Sequence, residues 1–469
     1  MQSSLATPWQ ESRTVLAISV PLAAAYLAEM GMMITDMIIV GRLGSDELAA
    51  VGLTADWFYV LLLIGMGVIA MVGVLAAQSL GEGRPEGVID AAEQGILVAT
   101  LMSLPVMLCI WYLGPALEYA EQDPNVVRLI SDYSRPLTWC VLPALWFAVH
   151  RNYVTALARA SAIMTITVLA LALNVLLNYA LVFGKFGLPA LGVVGAAYGT
   201  TIVNWLMFMA LAWHVLRSPE FSRYRVRLVP RRIKAKAIRE MLSLGLPITA
   251  AQVLAGAMFT VAAVLVGILS AEILAAQQII YTVIYVVLTA SIAIGDAVRV
   301  RVAYGIGLRS VDAARQSAYV SCAMAAAVTV VASAVLWLFP ELIVGIFLDT
   351  DDPMNESVLL IAVGMVLYAA LFQMLDGIQI VAANGLRGLR DTQSPLWIAM
   401  AGYWLVGLGA GTWLCFPMQY GADGMWWGLV LGALTTTALM VVRFRQRIRH
   451  AGTALDRTPS PAAAAGEGG

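Results

Sequence analysis

The chain has 469 residues, 61% hydrophobic and 12% charged, with a formal net charge of −1. Soluble domains carry about twice that share of charge, and apolar runs long enough to cross a bilayer recur along nearly the whole length, which excludes one large soluble core. The near-neutral balance offers no global field for nucleic acid, and the lack of a Walker A loop, a GxGxxG fingerprint or room for a nucleotide domain excludes an ATP-driven pump.

The first ten residues lack a basic n-region, and the apolar stretch 15–40 is too long for a signal-peptide h-region, so it is expected to remain as the first span. Further spans are expected over 50–79, 92–117, 129–150, 161–183, 191–216, 240–267, 273–298, 316–345, 356–385, 395–416 and 424–443, bounded by Gly, Pro or charge. The expected fold class is an all-α polytopic membrane protein of twelve transmembrane helices. Its segments are a cytoplasmic N-terminus (1–14), a first six-helix lobe (15–216), a basic cytoplasmic linker (217–239), a second lobe (240–447) and a disordered low-complexity tail (448–469).

Orientation follows from positive charge. With the N-terminus cytoplasmic, 24 of the 28 Lys and Arg fall in cytoplasmic segments, nine of them between Arg217 and Arg239. Only Arg42, Arg128, Arg135 and Lys185 fall outside, and the opposite loops are acidic at Glu118–Asp123 and Asp349–Asp352. Both termini are therefore expected in the cytoplasm. The basic linker reads as a topology anchor rather than a nucleic-acid patch.

The two halves resemble each other at an ungapped offset of 226 residues. Leu16–Ala25 lies over Leu242–Ala251, Pro21 over Pro247, Val40-Gly41 over Val266-Gly267, and Leu48–Ala50 over Leu274–Ala276. Six spans separate the copies, so the repeats run in the same direction. They imply a pseudo-two-fold axis along the membrane normal, a design that places a substrate cavity between lobes and opens it alternately.

Polar groups within the apolar spans need a reason, because an ionisable side chain mid-membrane costs at least about 2.5 kcal/mol. Asp36 lies deep in the first span, with Glu29 two turns earlier on nearly the same face. Asp376 lies in the tenth span, flanked at i±3 by Gln373 and Gln379. Asn174 and Asn178 form an i,i+4 pair in the fifth span, and Gln252 lies in the seventh. Asparagine and glutamine also join helices by hydrogen bonding, so for them a structural role competes with a functional one. The four cysteines and three histidines show no metal-ligand spacing.

Certain stretches carry a resemblance when taken together. They are Thr35–Gly41, Asn174–Gly187 and Gly192–Gly195 in the first half, and Asp376–Gly388 in the second. Over about residues 10–450 the chain resembles the multidrug and toxic compound extrusion (MATE) family, in its NorM-like bacterial branch. The resemblance implies a non-enzymatic antiporter of the bacterial inner membrane, acting as a monomer. It would export small organic, often cationic compounds in exchange for Na+ or H+, with no other cofactor and no resident metal. By matching position, Asp36, Asn174 and Asn178, with Thr200 as a fourth member, correspond to the family's first-lobe cation site. Asp376 falls on its second-lobe acidic position, where Gln373, Gln379, Gln252 and Glu29 join it as candidates for substrate or a second cation. The sequence departs from the family at two positions: a glutamate usual on the seventh span is Ala255, and a tyrosine four residues before Asp376 is Phe372. The alternatives are a lipid-linked precursor flippase of related build and a membrane-embedded enzyme. The enzyme would need clustered His, Asp or Ser motifs, which the sequence lacks.

Overall fold

The computed structural model describes residues 7–119, 123–348 and 355–457, with side chains to Thr453. Residues 120–122 of the first acidic loop, the acidic segment Asp349–Asp352 and residues 458–469 of the expected tail lie outside the described residues.

The described chain is helical, with no strand among the described residues. In order the helices are α1 (Pro8–Gly41), α2 (Ser45–Gly81), α3 (Pro85–Trp111), α4 (Leu113–Glu118), α5 (Pro124–Thr138), α6 (Val141–Ala156), α7 (Ser161–Phe183) and α8 (Val193–Arg217). A 3-10 turn (Pro219–Tyr224) leads into the linker and then α9 (Ala235–Gly267), α10 (Ala271–Gly307), α11 (Val311–Leu338), α12 (Pro340–Val344) and α13 (Glu356–Gly388). The next span is composite: α14 (Gln393–Ala399), a π-helical stretch (Met400–Leu408) and α15 (Gly409–Cys415); α16 (Gly421–Arg457) follows. The short helices α4 and α12 occupy corresponding places in the two halves, so the repeat extends to these details.

Local signals set the helix ends. Thr7 and Gln10 form a capping box, the Gln10 amide donating to the Thr7 hydroxyl (3.3 Å) and the Thr7 amide to Gln10 Oε1 (2.9 Å). Ser270 and Ser310 cap α10 and α11 by accepting from Ile273 N and Ala313 N. Gly184 closes α7 at φ 66°, a left-handed conformation that suits glycine.

Eleven helical spans among the described residues are long and apolar enough to cross a membrane. The remaining crossing differs from the straight helix expected over 129–150. It is divided into α5 and α6 at Trp139-Cys140, and neither part alone has the length of a span. Pro136 and Pro143 flank the break; each lacks an amide donor and so weakens the helical ladder there. Arg151, expected in the loop after that span, instead lies buried within α6. At the other end, α16 continues to Arg457, through residues expected in the tail.

The chain divides into two compact units. One comprises Ala17–Ala76 and Arg84–Val253; the other comprises Met1–Leu16, Ala77–Gly83 and Leu254–Gly469. The second unit is centred on Met258, Phe372, Tyr403 and Trp426, all buried. At the end of this unit near Gly388, the buried Asp391 carboxylate meets Arg447 Nε (2.8 Å) and Arg443 NH2 (3.1 Å). Burial pushes its carboxyl up, but hydrogen bonds from Ser394 and the two guanidiniums outweigh this and hold it below the usual carboxylate range.

Candidate functional site

In the first unit the site forms where α1, α7 and α8 meet. Asn174 and Asn178 lie one turn apart and therefore share a face of α7. Two glycines on α8 admit α7 closely. A Cβ on Gly195 would stand 2.6 Å from the Leu181 carbonyl oxygen, and one on Gly199 would overlap Asn178 Oδ1. The residue after Gly199 is Thr200, so the close crossing delivers its hydroxyl to the same place.

Asp36 is the focus. Asn178 Nδ2 donates to its Oδ1, and Thr200 Oγ1 donates to its Oδ2 at 3.0 Å. Asn174 lies against the same carboxylate, and the buried Tyr133 and Cys140 lie within range of its charge. Among the described residues no Lys or Arg pairs with Asp36. The amide oxygens Asn174 Oδ1 and Asn178 Oδ1 are buried and accept no hydrogen bond. Such orphaned acceptors are costly. Two of them beside an unpaired carboxylate form a cluster rich in acceptors, the donor set a hard cation prefers, and the carboxylate is equally able to take up a proton. The four residues assigned to this site from sequence are thus brought together.

Glu29, two turns from Asp36, has its own partner. Its Oε1 accepts from Arg151 NH1 at 2.8 Å, and that guanidinium lies over the rings of Tyr26 (5.0 Å) and Phe147 (6.0 Å). Glu29 therefore stands in the unit of Asp36, with its charge paired. Gln252, on α9 at the edge of the same unit, carries a buried Oε1 without a partner.

In the second unit Asp376 is buried on α13. Its Oδ1 accepts a 2.6 Å hydrogen bond from the Tyr403 hydroxyl. Tyr403 lies in the π-helical stretch, where the wider turn re-aims side chains; such segments gather at functional sites. The next residue, Trp404, donates its indole N–H to the Leu254 carbonyl at 3.0 Å, beside Ala255 on α9. Gln373 is buried with both Oε1 and Nε2 unpartnered, Ser291 Oγ is buried and unpartnered near Gly377, and Gln379 is buried further along α13. Phe372 offers no oxygen and packs its ring on Phe259, 5.6 Å between centroids. The phenol beside Asp376 thus comes from Tyr403, a residue the sequence reading passed over.

The sequence model of the MatE family matches residues 21–180 and 247–413. The chain is 34% identical over 428 residues to "Multidrug resistance protein NorM" of Burkholderia vietnamiensis, covering 91% of this chain and 92% of that one. It is 33% identical over 441 residues to "Probable multidrug resistance protein NorM" of Synechococcus sp., covering 94% and 95%. Among solved structures, a eukaryotic MATE transporter, AtDTX14, superposes with TM-score 0.82 at 19% identity, covering 96% of this chain and 99% of that one. An outward-facing multidrug resistance MATE transporter superposes at 0.86 and 17% identity, covering 96% and 97%. The two-lobe, twelve-helix architecture is shared with these structures, and the chain belongs to the MatE family, in its NorM-like branch.

Proposed function

We propose that this chain is a secondary antiporter that exports small organic, cationic compounds across the bacterial inner membrane in exchange for Na+ or H+, with Asp36 as the coupling residue. The observation that carries the reading is the Asp36 cluster: an unpaired carboxylate beside two buried amide oxygens that lack donors. A cation or proton arriving there neutralises one buried charge. The conformations of the transporter that differ in access to Asp36 then differ in energy, and the ion gradient biases their populations. Asp376, with Tyr403 and Gln373, is a second buried carboxylate suited to a cationic substrate or a second cation. The family match and the multidrug resistance relatives favour efflux over a lipid-linked precursor flippase.

We place both termini in the cytoplasm. The Lys and Arg asymmetry supports this even with Arg151 counted inside the membrane. We take the working unit to be a monomer. The test is dye efflux, read as dye accumulation inside everted vesicles, under an imposed Na+ gradient or an imposed pH gradient. One of the two gradients should drive efflux, and Asp36→Asn should abolish the drive while equilibrium dye binding persists. Full gradient-driven efflux by the variant would overturn the assignment.

A further inference from the structure

The linker after α8 is fixed in place. Phe221 of the 3-10 turn is fully buried, and the Tyr153 hydroxyl donates to the Tyr224 carbonyl at 2.6 Å. Gln94 of α3 then clamps the backbone from both sides: its Nε2 donates to Arg232 O (2.8 Å) and its Oε1 accepts from Lys234 N (3.0 Å). Glu93 Oε2 accepts from Arg231 N at 3.1 Å, and Lys234 Nζ pairs with Asp90. The backbone groups Arg231 N, Arg232 O and Lys234 N are therefore turned onto α3, a helix that enters the bilayer, while Phe221 and Val226 are buried and the basic side chains are turned out.

Those side chains share one character. Arg223, Arg225, Arg227, Arg231, Arg232, Lys236 and Arg239 are exposed, and none pairs with a carboxylate among the described residues. Interleaved with them stand Leu228, Val229 and Ile233, which are 49%, 77% and 71% exposed. A topology anchor needs the charges but not the bare aliphatic side chains, and a loop in water gains nothing from presenting them. A membrane interface satisfies both, because phosphodiesters meet the guanidiniums while the aliphatic chains enter the headgroup boundary.

We propose that the segment from Arg223 to Arg239 is a docked recognition surface for anionic phospholipid headgroups of the cytoplasmic leaflet. The placement in that leaflet rests on the orientation given above; the binding chemistry does not. Charge complementarity selects the occupant, and the Gln94–Glu93 clamp holds the basic and apolar groups where headgroups lie.

The full-length protein, stripped of lipid in a neutral detergent, tests this without regard to orientation or transport. Phosphatidylglycerol and phosphatidylcholine are titrated separately, and bound lipid is counted by native mass spectrometry alongside the melting temperature. The wild type should retain phosphatidylglycerol in preference and melt higher with it, and the preference should vanish at high ionic strength. Joint substitution of Arg223, Arg225, Arg227, Arg231 and Arg232 by Gln should weaken that retention roughly tenfold or more. Val229→Ser with Ile233→Ser should weaken retention of both lipids. Equal retention of the two lipids by the wild type, or an undiminished preference in the five-Gln variant, overturns the proposal. So does a melting shift reproduced by inorganic phosphate or by a short RNA. Loss of efflux with lipid preference intact would count against the antiporter reading alone.

Discussion

The two buried carboxylates, Asp36 and Asp376, occupy comparable settings yet are equipped differently. Each lies within a long apolar helix and accepts a hydrogen bond from a hydroxyl, Thr200 at 3.0 Å and Tyr403 at 2.6 Å. Around Asp36 stand the two amide oxygens Asn174 Oδ1 and Asn178 Oδ1, buried and accepting no hydrogen bond. Around Asp376 the neighbours are an aromatic face, a phenol and one glutamine with both polar atoms idle. The repeat has preserved the helical frame while the chemistry in it has diverged. At the offset of 226, the residue standing in place of Asp36 in the second half is the fully buried Ala262. The first cluster is a carboxylate among buried acceptors. The second is a carboxylate whose one strong neighbour is a donor.

The sharpest way to break this contrast is to neutralise each carboxylate in turn. Asp36→Asn should reduce gradient-driven dye efflux at least tenfold, since an ion that no longer discriminates between conformations shifts nothing (a tenfold population change needs about 1.4 kcal/mol). Asp376→Asn should slow export of cationic dyes several-fold and leave the response to the gradient in place. Equal losses in both would mean that the sites do not differ in role.

A second variant probes the Asp36 cluster without altering any of its four side chains. Gly199→Ala places a methyl group against Asn178 Oδ1. Overpacking of this kind costs about 1–3 kcal/mol, so affinity for the coupling cation should fall about tenfold. This would be read from the cation concentration at half-maximal efflux. An unchanged midpoint would remove Asn178 from the cation shell.

Tyr403→Phe tests the other cluster. It deletes the phenol and leaves Asp376 Oδ1 short of a donor, at a cost of about 1–3 kcal/mol. The melting temperature should drop by several degrees and cationic-dye export should fall a few-fold, while the cation midpoint at the first site stays constant.

The smallest effect is expected remote from both. The carboxyl of Asp391 is held below its ordinary range in the folded protein, so its stabilisation is complete above the unfolded value, about 4, and is lost as pH falls through the lower folded value. Asp391→Asn should lower stability by about 1–2 kcal/mol near neutrality, because Arg443 and Arg447 remain half-exposed and can hydrate. The deficit should shrink in strong acid. A deficit independent of pH would show that packing rather than charge is at stake.

Asp36, Asn174 and Asn178 were legible because they are polar residues in apolar text, and α-helical spacing puts Asn174 and Asn178 on one face, whereas Thr200 was reached only through the family resemblance. Tyr403 was not legible, since a tyrosine within a span reads as packing and the π-helical stretch that re-aims it leaves no sequence signature. Arg151 was misplaced because it follows the expected end of the 129–150 span, whereas α6 runs on to Ala156. The linker was recognised by its charge alone. Its clamp depends on Glu93 and Gln94, which in sequence are ordinary polar residues near a helix start.

The broken crossing also bears on how the protein is made. Neither α5 nor α6 is long enough to be taken up as an independent span, and α6 carries the buried Arg151, a charge that is costly within a membrane unless paired. The counter-charge is Glu29, on a helix that leaves the ribosome about a hundred residues earlier. The fourth crossing is thus expected to enter the bilayer by joining the first, not by its own hydrophobicity. A glycosylation-tagged fragment holding only residues 123–160 should insert poorly, and adding the first span to it should rescue insertion unless Glu29 is replaced by Gln. Nascent chains paused between these two segments would then be dependent on whatever shelters an unpaired carboxylate during synthesis.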